Sequence, residues 1–194
     1  IIGVIVAIIR TSSENSQSKN IFFKIINGLC QVYLTVIRGT PMMVQLLIMG
    51  FVVMQPKTEI GSIVCGFITL GINSGAYVAE IVRSGLMSIP KGQTEAGRSL
   101  GFNYIQTMWY IVIPQAIKNI LPALGNEMIT LLKDTSLVSV IALRDVTKQA
   151  QNIVSKTYSA MVPYISLALI YLVIVIVITK LLDRLEKRLR KSEH

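Results

Sequence analysis

Residues 95–114 read EAGRSLGFNYIQTMWYIVIP, and the spacing of their small residues decides how the rest of the chain is interpreted. Ala96 and Gly97 follow Glu95, Gly101 comes four residues after Gly97, and Pro114 closes the stretch. Small residues at neighbouring positions allow another protein to come close to the backbone. The pattern therefore predicts either a docking element or an ordinary amphipathic turn and helix between two membrane spans.

The same stretch carries signals for the two ends of a short helix. Thr94 is a candidate N-cap, and Glu95 in a first turn would suit the positive end of the helix dipole. Gly101 is a candidate stop, because glycine adopts the left-handed conformation of a C-terminal cap without steric cost.

Composition points to a membrane protein built of helices. Of the 194 residues, 52% are hydrophobic and only 15% are charged, whereas a soluble domain has about 25% charged residues. The net charge of +9 does not indicate nucleic acid, because the basic residues lie between apolar runs and form no patch interleaved with aromatic residues. We therefore predict an all-α, polytopic protein in the lipid bilayer, with no nucleic-acid partner.

The chain shows no catalytic or metal-binding pattern. The two cysteines, Cys30 and Cys65, lie in apolar surroundings without metal-ligand spacing, and the lone histidine is His194. A phosphate-binding GxxxxGK[ST] loop is missing from the sequence, as is a nucleophile with a neighbouring base. We predict a protein that is not an enzyme and has no cofactor or metal site of its own.

Uncharged runs and their breaks divide the chain into segments of one transmembrane domain. Residues 1–9 are too few to cross the membrane, which takes about 20 residues, and are predicted to end a truncated first span. Residues 10–20 are predicted to form a polar loop, and residues 20–37, which contain Lys24, an interfacial helix. The remaining predictions are spans at 39–56, 60–82, 119–137 and 157–181, a cytoplasmic loop at 84–118, and an extracytoplasmic segment at 138–156 with a surface helix over 142–158.

Basic residues support this arrangement. Residues 99–117 are uncharged but hold Trp109, Tyr110 and Pro114, which favour an interface over a span. With the 84–118 loop inside, fourteen basic residues lie on the cytoplasmic side and four outside, as the positive-inside rule requires. The four outside are Lys57, Arg144, Lys148 and Lys156.

Residues 38–51 read RGTPMMVQLLIMGF and predict a helix start. Pro41 suits a first helical position, with Thr40 as a candidate cap.

Polar residues inside the predicted spans are the candidates for a substrate pathway. Glu127 and Asp134 are seven residues apart, within about 20° on one helical face, with Thr130 near them. A charge in a span costs roughly 2.5–3.5 kcal/mol on insertion scales, so two carboxylates there indicate a polar cavity. Such a face would suit an ammonium or guanidinium group, and Lys133 would pair with a neighbouring helix or reach a substrate carboxylate.

A second polar stripe is predicted to face this helix. Its members are Asn73, Ser74, Tyr77, Glu80 and Ser84, with Gln45 as a weaker candidate. The alternative for Asn73 and Gln45 is that they join helices by hydrogen bonds, which is common in membranes.

Three motifs give the chain a family resemblance. The 95–114 stretch resembles the EAA loop of ABC-importer permeases, with Gly97 in place of the third-position alanine and Ile113 in place of the usual leucine before Pro114. Residues 38–45 resemble the RGTPxxVQ signature of permeases for polar amino acids, of the histidine, glutamine and arginine type. Residues 127–137, EMITLLKDTSL, match the LLKDTSL string of the same subfamily.

The resemblance implies a type I importer permease of five spans in the cytoplasmic (inner) membrane of a prokaryote. Glu95, Ala96, Gly97, Gly101 and Pro114 would then belong to a cytoplasmic coupling helix that docks on a separate ATP-binding subunit. ATP and Mg²⁺ would be bound by that subunit. A second permease subunit, identical or paralogous, and an extracytoplasmic substrate-binding protein would complete an alternating-access importer.

Three functions stay open at this point. The two acids favour basic amino acids (arginine, lysine or histidine). A glutamine or other neutral polar amino acid importer, in which the acids serve only the α-ammonium group, is the alternative. A third possibility is an ion channel or a non-transporting membrane scaffold, which would have no ATPase partner.

Overall fold

The computed structural model describes residues 1–15 and 21–191, and the chain there is helical and contains no strand. The all-α prediction is confirmed. Residues 16–20 of the predicted polar loop and His194 lie outside the described residues. The helices are α1 Ile2–Asn15, α2 Ile21–Gly39, α3 Met42–Ile48, α4 Glu59–Met87, α5 Lys91–Ser99, α6 Tyr104–Thr107, α7 Ile113–Asp134, α8 Val146–Thr157 and α9 Met161–Lys191.

Three shorter helical turns link these elements. π-helical turns at Met49–Val53 and Met108–Val112 follow α3 and α6, and a 3₁₀ turn at Thr135–Ile141 follows α7. The second π turn accommodates Pro114. Proline lacks an N–H, and in a regular helix its ring would crowd the carbonyl four residues earlier. The wider turn, in which the Ile113 N–H donates to the Met108 carbonyl, carries the helix past the proline.

The chain forms two compact units, and several helices contribute to both. The first unit contains Ile1–Leu34, Gly75–Glu127 and the described chain from Leu182 onward, and the second contains Thr35–Ser74 and Met128–Leu181. In the first unit, Gly3 of α1 lies against the Gly75 carbonyl and Val78 of α4, where a Cβ would meet the oxygen at 2.7 Å. α1 and α4 therefore approach at backbone distance.

The core of the second unit joins α3, α4 and the 3₁₀ turn. Leu46, Cys65, Val138 and Ile141 are buried together. Gly50 lies against Ile141, so the π turn sits directly on the 3₁₀ turn. This burial also accounts for Cys65, which fills apolar volume as a free thiol.

Three helices of the described chain are long and apolar enough to cross a membrane: α2, α4 and the Met161–Arg188 part of α9. None of the apolar window of α9 is buried inside the protein, as expected for a helix that faces lipid. At 31 residues α9 is about 46 Å long, so it extends past a hydrocarbon core of about 30 Å. By length and composition α2 also qualifies, and the interfacial assignment of 20–37 stays a prediction.

Several predicted boundaries are wrong for identifiable reasons. The polar stretch after residue 10 is helical as far as Asn15. α3 begins at Met42 with Pro41 in the N-cap position, and the Thr40 hydroxyl instead donates to the Val36 carbonyl at 2.8 Å. Thr40 thus closes the end of α2 rather than opening α3.

The segment at 138–156 also differs from the prediction. Ala142 has φ of 61°, a left-handed conformation that ends the 3₁₀ turn. The surface helix therefore starts only at Val146, after Asp145, whose carboxylate accepts from the Lys148 N–H at 2.8 Å.

The helix containing α7 runs through the predicted boundary at residues 118 and 119. From Tyr104 to Asp134 the chain stays helical through the π turn, so the predicted 84–118 loop and the predicted 119–137 span share one helix. Trp109, Tyr110 and Pro114 had favoured an interfacial loop, so the sequence did not indicate this continuity.

Candidate functional site

The predicted docking helix is α5, and it starts earlier than the sequence suggests. Pro90 occupies the N-cap position and the helix begins at Lys91. Thr94 and Glu95 therefore lie in the middle of the helix, and the predicted capping role of Thr94 is wrong. Proline before a first turn is an alternative start signal, since it needs no N–H partner there.

The end of α5 follows the prediction for Gly101. Its φ is +85°, and its N–H donates to the Arg98 carbonyl at 2.9 Å, while the Phe102 N–H donates to the Gly97 carbonyl at 3.1 Å. Asn103 then starts α6 with a capping box, in which its side chain accepts from the Gln106 N–H at 2.9 Å. The chain turns back within four residues, so α5 folds against the helix that follows it.

Gly97 forms the contact between the two helices. It is buried, and a Cβ at this position would lie 2.8 Å from Thr107 Cγ2 and 3.0 Å from Ile111 Cδ1. Thr107 itself is fully buried. The sequence predicted that Gly97 allows close approach by another protein, but in this chain its missing side chain makes room for Thr107 and Ile111.

The opposite face of α5 is open. Gly92, Glu95, Ala96 and Ser99 are spaced as i, i+3, i+4 and i+7, so they share one face of the helix, and all four are exposed. A Cβ at Gly92 would meet nothing within 4 Å, and the Ser99 hydroxyl donates back to the Glu95 carbonyl at 3.0 Å. We call these four residues the α5 outer face. Apart from the carboxylate of Glu95, its side chains are short.

Hydrogen bonds tie both ends of the turn around Pro90 to α7. Gln115 Nε2 donates to Gln93 Oε1 at 3.2 Å, and Asn119 Nδ2 donates to Ser88 Oγ at 2.8 Å. None of these four residues was predicted from the sequence as part of the site. The only signal was the spacing of the two amides, four residues apart on a helix.

Gln45 and Asn73, both predicted pathway residues, hydrogen-bond to each other in the second unit. Asn73 Nδ2 donates to Gln45 Oε1 at 2.9 Å, and Gln45 Nε2 donates to the Ile37 carbonyl at 2.7 Å and to Thr40 Oγ1 at 2.8 Å. Gln45 thus joins the end of α2, the start of α3 and the middle of α4. This gives Thr40 and Gln45 of the 38–45 motif a structural role, as in the alternative weighed above, and their place in a pathway stays a prediction.

Glu80 lies among arginines in the first unit. Arg83, three residues on, donates to Glu80 Oε1 through Nε at 3.2 Å, and Arg10 Nη1 is 4.0 Å from Glu80 Oε2. The two guanidinium groups offset the negative charge of this carboxylate. Ser84 and Glu80 line a cavity of about 430 Å³ between the end of α4 and α7. Ser74 and Tyr77, on the same helix, are half-buried and 37% exposed respectively.

The two acids of α7 differ in position. Glu127 lies inside the helix and is half-buried, whereas Asp134 is its last residue. Asp134 is therefore at a helix end rather than well inside a span. Thr130 and Lys133 are exposed on this chain. The continuous helix confirms that Glu127 and Asp134 share a face.

The residues after Asp134 explain why the helix changes there. Thr135 Oγ1 donates to the Leu132 carbonyl at 2.6 Å, and Ser136 Oγ donates to the Lys133 carbonyl at 2.7 Å. These hydroxyls satisfy carbonyls that lose their partners as the helix tightens into the 3₁₀ turn. The KDTS part of the motif thus sets a helix end.

Comparisons with known proteins identify the family. Residues 1–191 match the model of the family described as binding-protein-dependent transport system inner membrane component. The chain is 39% identical over 168 residues to the glutamine transport system permease protein GlnP of Escherichia coli K12, covering 86% of this chain and 77% of that protein. It is 37% identical over 194 residues to the arginine transport system permease protein ArtQ of Bacillus subtilis 168, covering 100% and 86%.

A solved structure has the same fold. The crystal structure of an amino acid ABC transporter with histidines superposes with a TM-score of 0.82 at 45% identity, over 96% of this chain and 85% of that chain. The fold and site thus define a membrane component of a transporter.

The chain belongs to the family of binding-protein-dependent transport system inner membrane components, and its relatives are permease subunits of amino acid ABC transporters. It is a transporter subunit of the inner membrane and not an enzyme; ATP is hydrolysed on a separate subunit. An ATP-binding subunit and a substrate-binding protein are its partners. The channel or scaffold alternative is thereby removed.

Replacing Gly97 by alanine should displace α5, because the added Cβ would lie within 3.0 Å of Thr107 and Ile111. Overpacking of this kind costs about 1–3 kcal/mol. We expect Gly97→Ala to lower the thermal stability of the purified permease and to increase proteolysis around α5. Gly92→Ala is the matched control, since it adds the same methyl group to the same helix in open space. Equal effects of the two substitutions would contradict the packing role of Gly97.

Proposed function

We propose that this chain lines the path by which a polar amino acid enters a prokaryotic cell, as a multi-pass subunit that pairs with a second permease subunit. The observation that carries the proposal is the two-sided character of α5. One face is fixed against the chain's own Thr107 and Ile111, while the α5 outer face is open and almost free of bulky side chains. A short helix fixed on one side and bare on the other suits docking on a partner.

The partner on this face is proposed to be the ATP-binding subunit. Glu95 is the acidic group of the face, and Ala96 and Gly92 allow close backbone approach. ATP and Mg²⁺ are held by that subunit, whose closure moves α5. An extracytoplasmic substrate-binding protein delivers the amino acid on the opposite side of the membrane.

We further propose that the substrate is a basic amino acid, with Glu127 and Asp134 as the acidic groups along the path. Both lie on one face of α7, with Thr130 beside them. Glu80 contributes less than the sequence suggests, because Arg83 and Arg10 surround its carboxylate. The arginine permease among the relatives and the structure with histidines support this choice.

Glutamine or another neutral polar amino acid is the second candidate. The glutamine permease is as similar to this chain as the arginine permease. Lys133 is adjacent to Asp134, and it offsets that carboxylate's charge. In this case the acids would serve only the α-ammonium group that all amino acids share.

Reversing the charge on the α5 outer face should prevent docking. We expect Glu95→Arg to abolish co-purification of the ATP-binding subunit from detergent extracts, while the permease itself stays folded because Glu95 is exposed. Glu59→Arg is the control, since Glu59 is an exposed acid in the first turn of α4, on the predicted outer side. Retention of the ATP-binding subunit by the Glu95→Arg protein would count against docking through this face.

Neutralising the two acids should change selectivity. In the complete transporter reconstituted in liposomes, we expect Glu127→Gln and Asp134→Asn to reduce uptake of arginine at least tenfold more than uptake of glutamine. The reason is that a guanidinium group loses its counter-charge, whereas an amide does not. Glu59→Gln should leave both rates unchanged. If glutamine is the preferred substrate of the unmodified transporter, or if selectivity is unaffected, the assignment to basic amino acids is wrong.

A further inference from the structure

The turn between α4 and α5 is bonded at both ends to one face of α7. Ser88 lies just after α4 and Gln93 lies in the first turn of α5, on either side of Pro90. Their partners, Asn119 and Gln115, are four residues apart and so lie above one another on α7. Two bonds from one helix thus hold the chain on both sides of the three-residue connection, 88–90, between α4 and α5.

Each bond belongs to a small network. Ser88 Oγ accepts from Asn119 and donates to the Gly85 carbonyl at 2.8 Å. Gln115 Nε2 also donates to the Ile111 carbonyl at 2.9 Å. Each group therefore donates no more hydrogens than it has, since the Ser88 hydroxyl donates one and the Gln115 amide donates two.

Apolar contact supports the same arrangement. Gly85 faces Ile120, and a Cβ on Gly85 would overlap the isoleucine side chain. Both residues are buried. The last turn of α4 therefore already lies at its closest distance from α7, and the Ser88–Asn119 bond continues this contact towards α5.

We propose that Gln115 and Asn119 are positioning residues that make the α4–α5 turn and α7 move together when α5 is displaced. We call the four residues Ser88, Gln93, Gln115 and Asn119 the amide clamp. This inference rests on the proposed docking of α5 on the ATP-binding subunit. Movement imposed on α5 passes through the clamp to α7, the helix that carries Glu127.

Some other polar side chains of this region bond within one element. The Ser99 hydroxyl bonds within its own helix, to the Glu95 carbonyl, and Asn103 and Gln106 bond to each other at the start of α6. The amide clamp joins separate elements, with sequence separations of 22 and 31 residues. Its loss should therefore affect transmission between elements more than the stability of any one of them.

The test uses the complete transporter, with its ATP-binding subunit and substrate-binding protein, reconstituted in liposomes. The measured quantity is the number of amino acid molecules taken up per ATP hydrolysed. A net hydrogen bond corresponds to a factor of roughly two to ten in an equilibrium, so we expect Ser88→Ala and Asn119→Ala each to lower this ratio about two- to tenfold. ATP hydrolysis should continue while uptake falls.

The double variant separates a shared bond from two local effects. If Ser88 and Asn119 act through their bond, the Ser88→Ala/Asn119→Ala protein should have the same ratio as either single variant. The exchange variant Ser88→Asn/Asn119→Ser places a donor and an acceptor across the same gap and should recover part of the ratio. Gln149→Ala, which removes an exposed amide on α8, is the control and should keep the unmodified ratio.

Two results would overturn the amide clamp. One is an unmodified ratio in both single variants, and the other is a double variant whose loss is the product of the two single losses. If the unmodified transporter couples uptake to ATP hydrolysis, either result rejects the amide clamp but not the proposed function. Absence of ATP-dependent uptake in the unmodified complex would instead reject the proposed function together with the clamp.

Discussion

The missing side chain at Gly97 sets how closely α5 approaches the helix that follows it. With a hydrogen in place of a methyl group, Thr107 and Ile111 can lie directly against the α5 backbone. That contact fixes which side of α5 faces inward, and so which residues form the α5 outer face. The left-handed Gly101 and the capping box of Asn103 make the tight return possible. The proposed docking surface is thus a consequence of internal packing.

Polar groups in the predicted spans include residues that hold helices together and the two acids of α7. Gln45 and Asn73 bond to each other and to the break between α2 and α3. Glu80 lies with Arg83 and Arg10. The acids of α7 remain the best candidates for recognising a substrate, because Glu127 lies inside the helix and Asp134 ends it. If the substrate pathway runs along α7, displacement of α5 would also be transmitted to it.

Motif and composition predicted the class of fold and the presence of α5, because membrane helices and glycine stops have strong local signals. Gly101 is an example of a glycine stop, and the uncharged run within α9 is an example of a membrane helix. The sequence could not show that Gly97 serves its own chain, because a small residue looks the same whichever partner fills the space beside it. It also could not pair Ser88 with Asn119, since a bond across 31 residues leaves no periodic trace. The sequence did not predict that the helix continues through Pro114. The π turn that accommodates this proline has no simple sequence signal.

The most direct test of the account is sided labelling of the α5 outer face. Ala96→Cys, in a background with Cys30→Ala and Cys65→Ala, would be treated with a membrane-impermeant maleimide in vesicles of known orientation, with Lys57→Cys as the marker of the other side. We expect Ala96→Cys to react only from the cytoplasmic side, and to be protected when the ATP-binding subunit is bound. Reaction from the outside, or equal reaction with and without that subunit, would contradict the account.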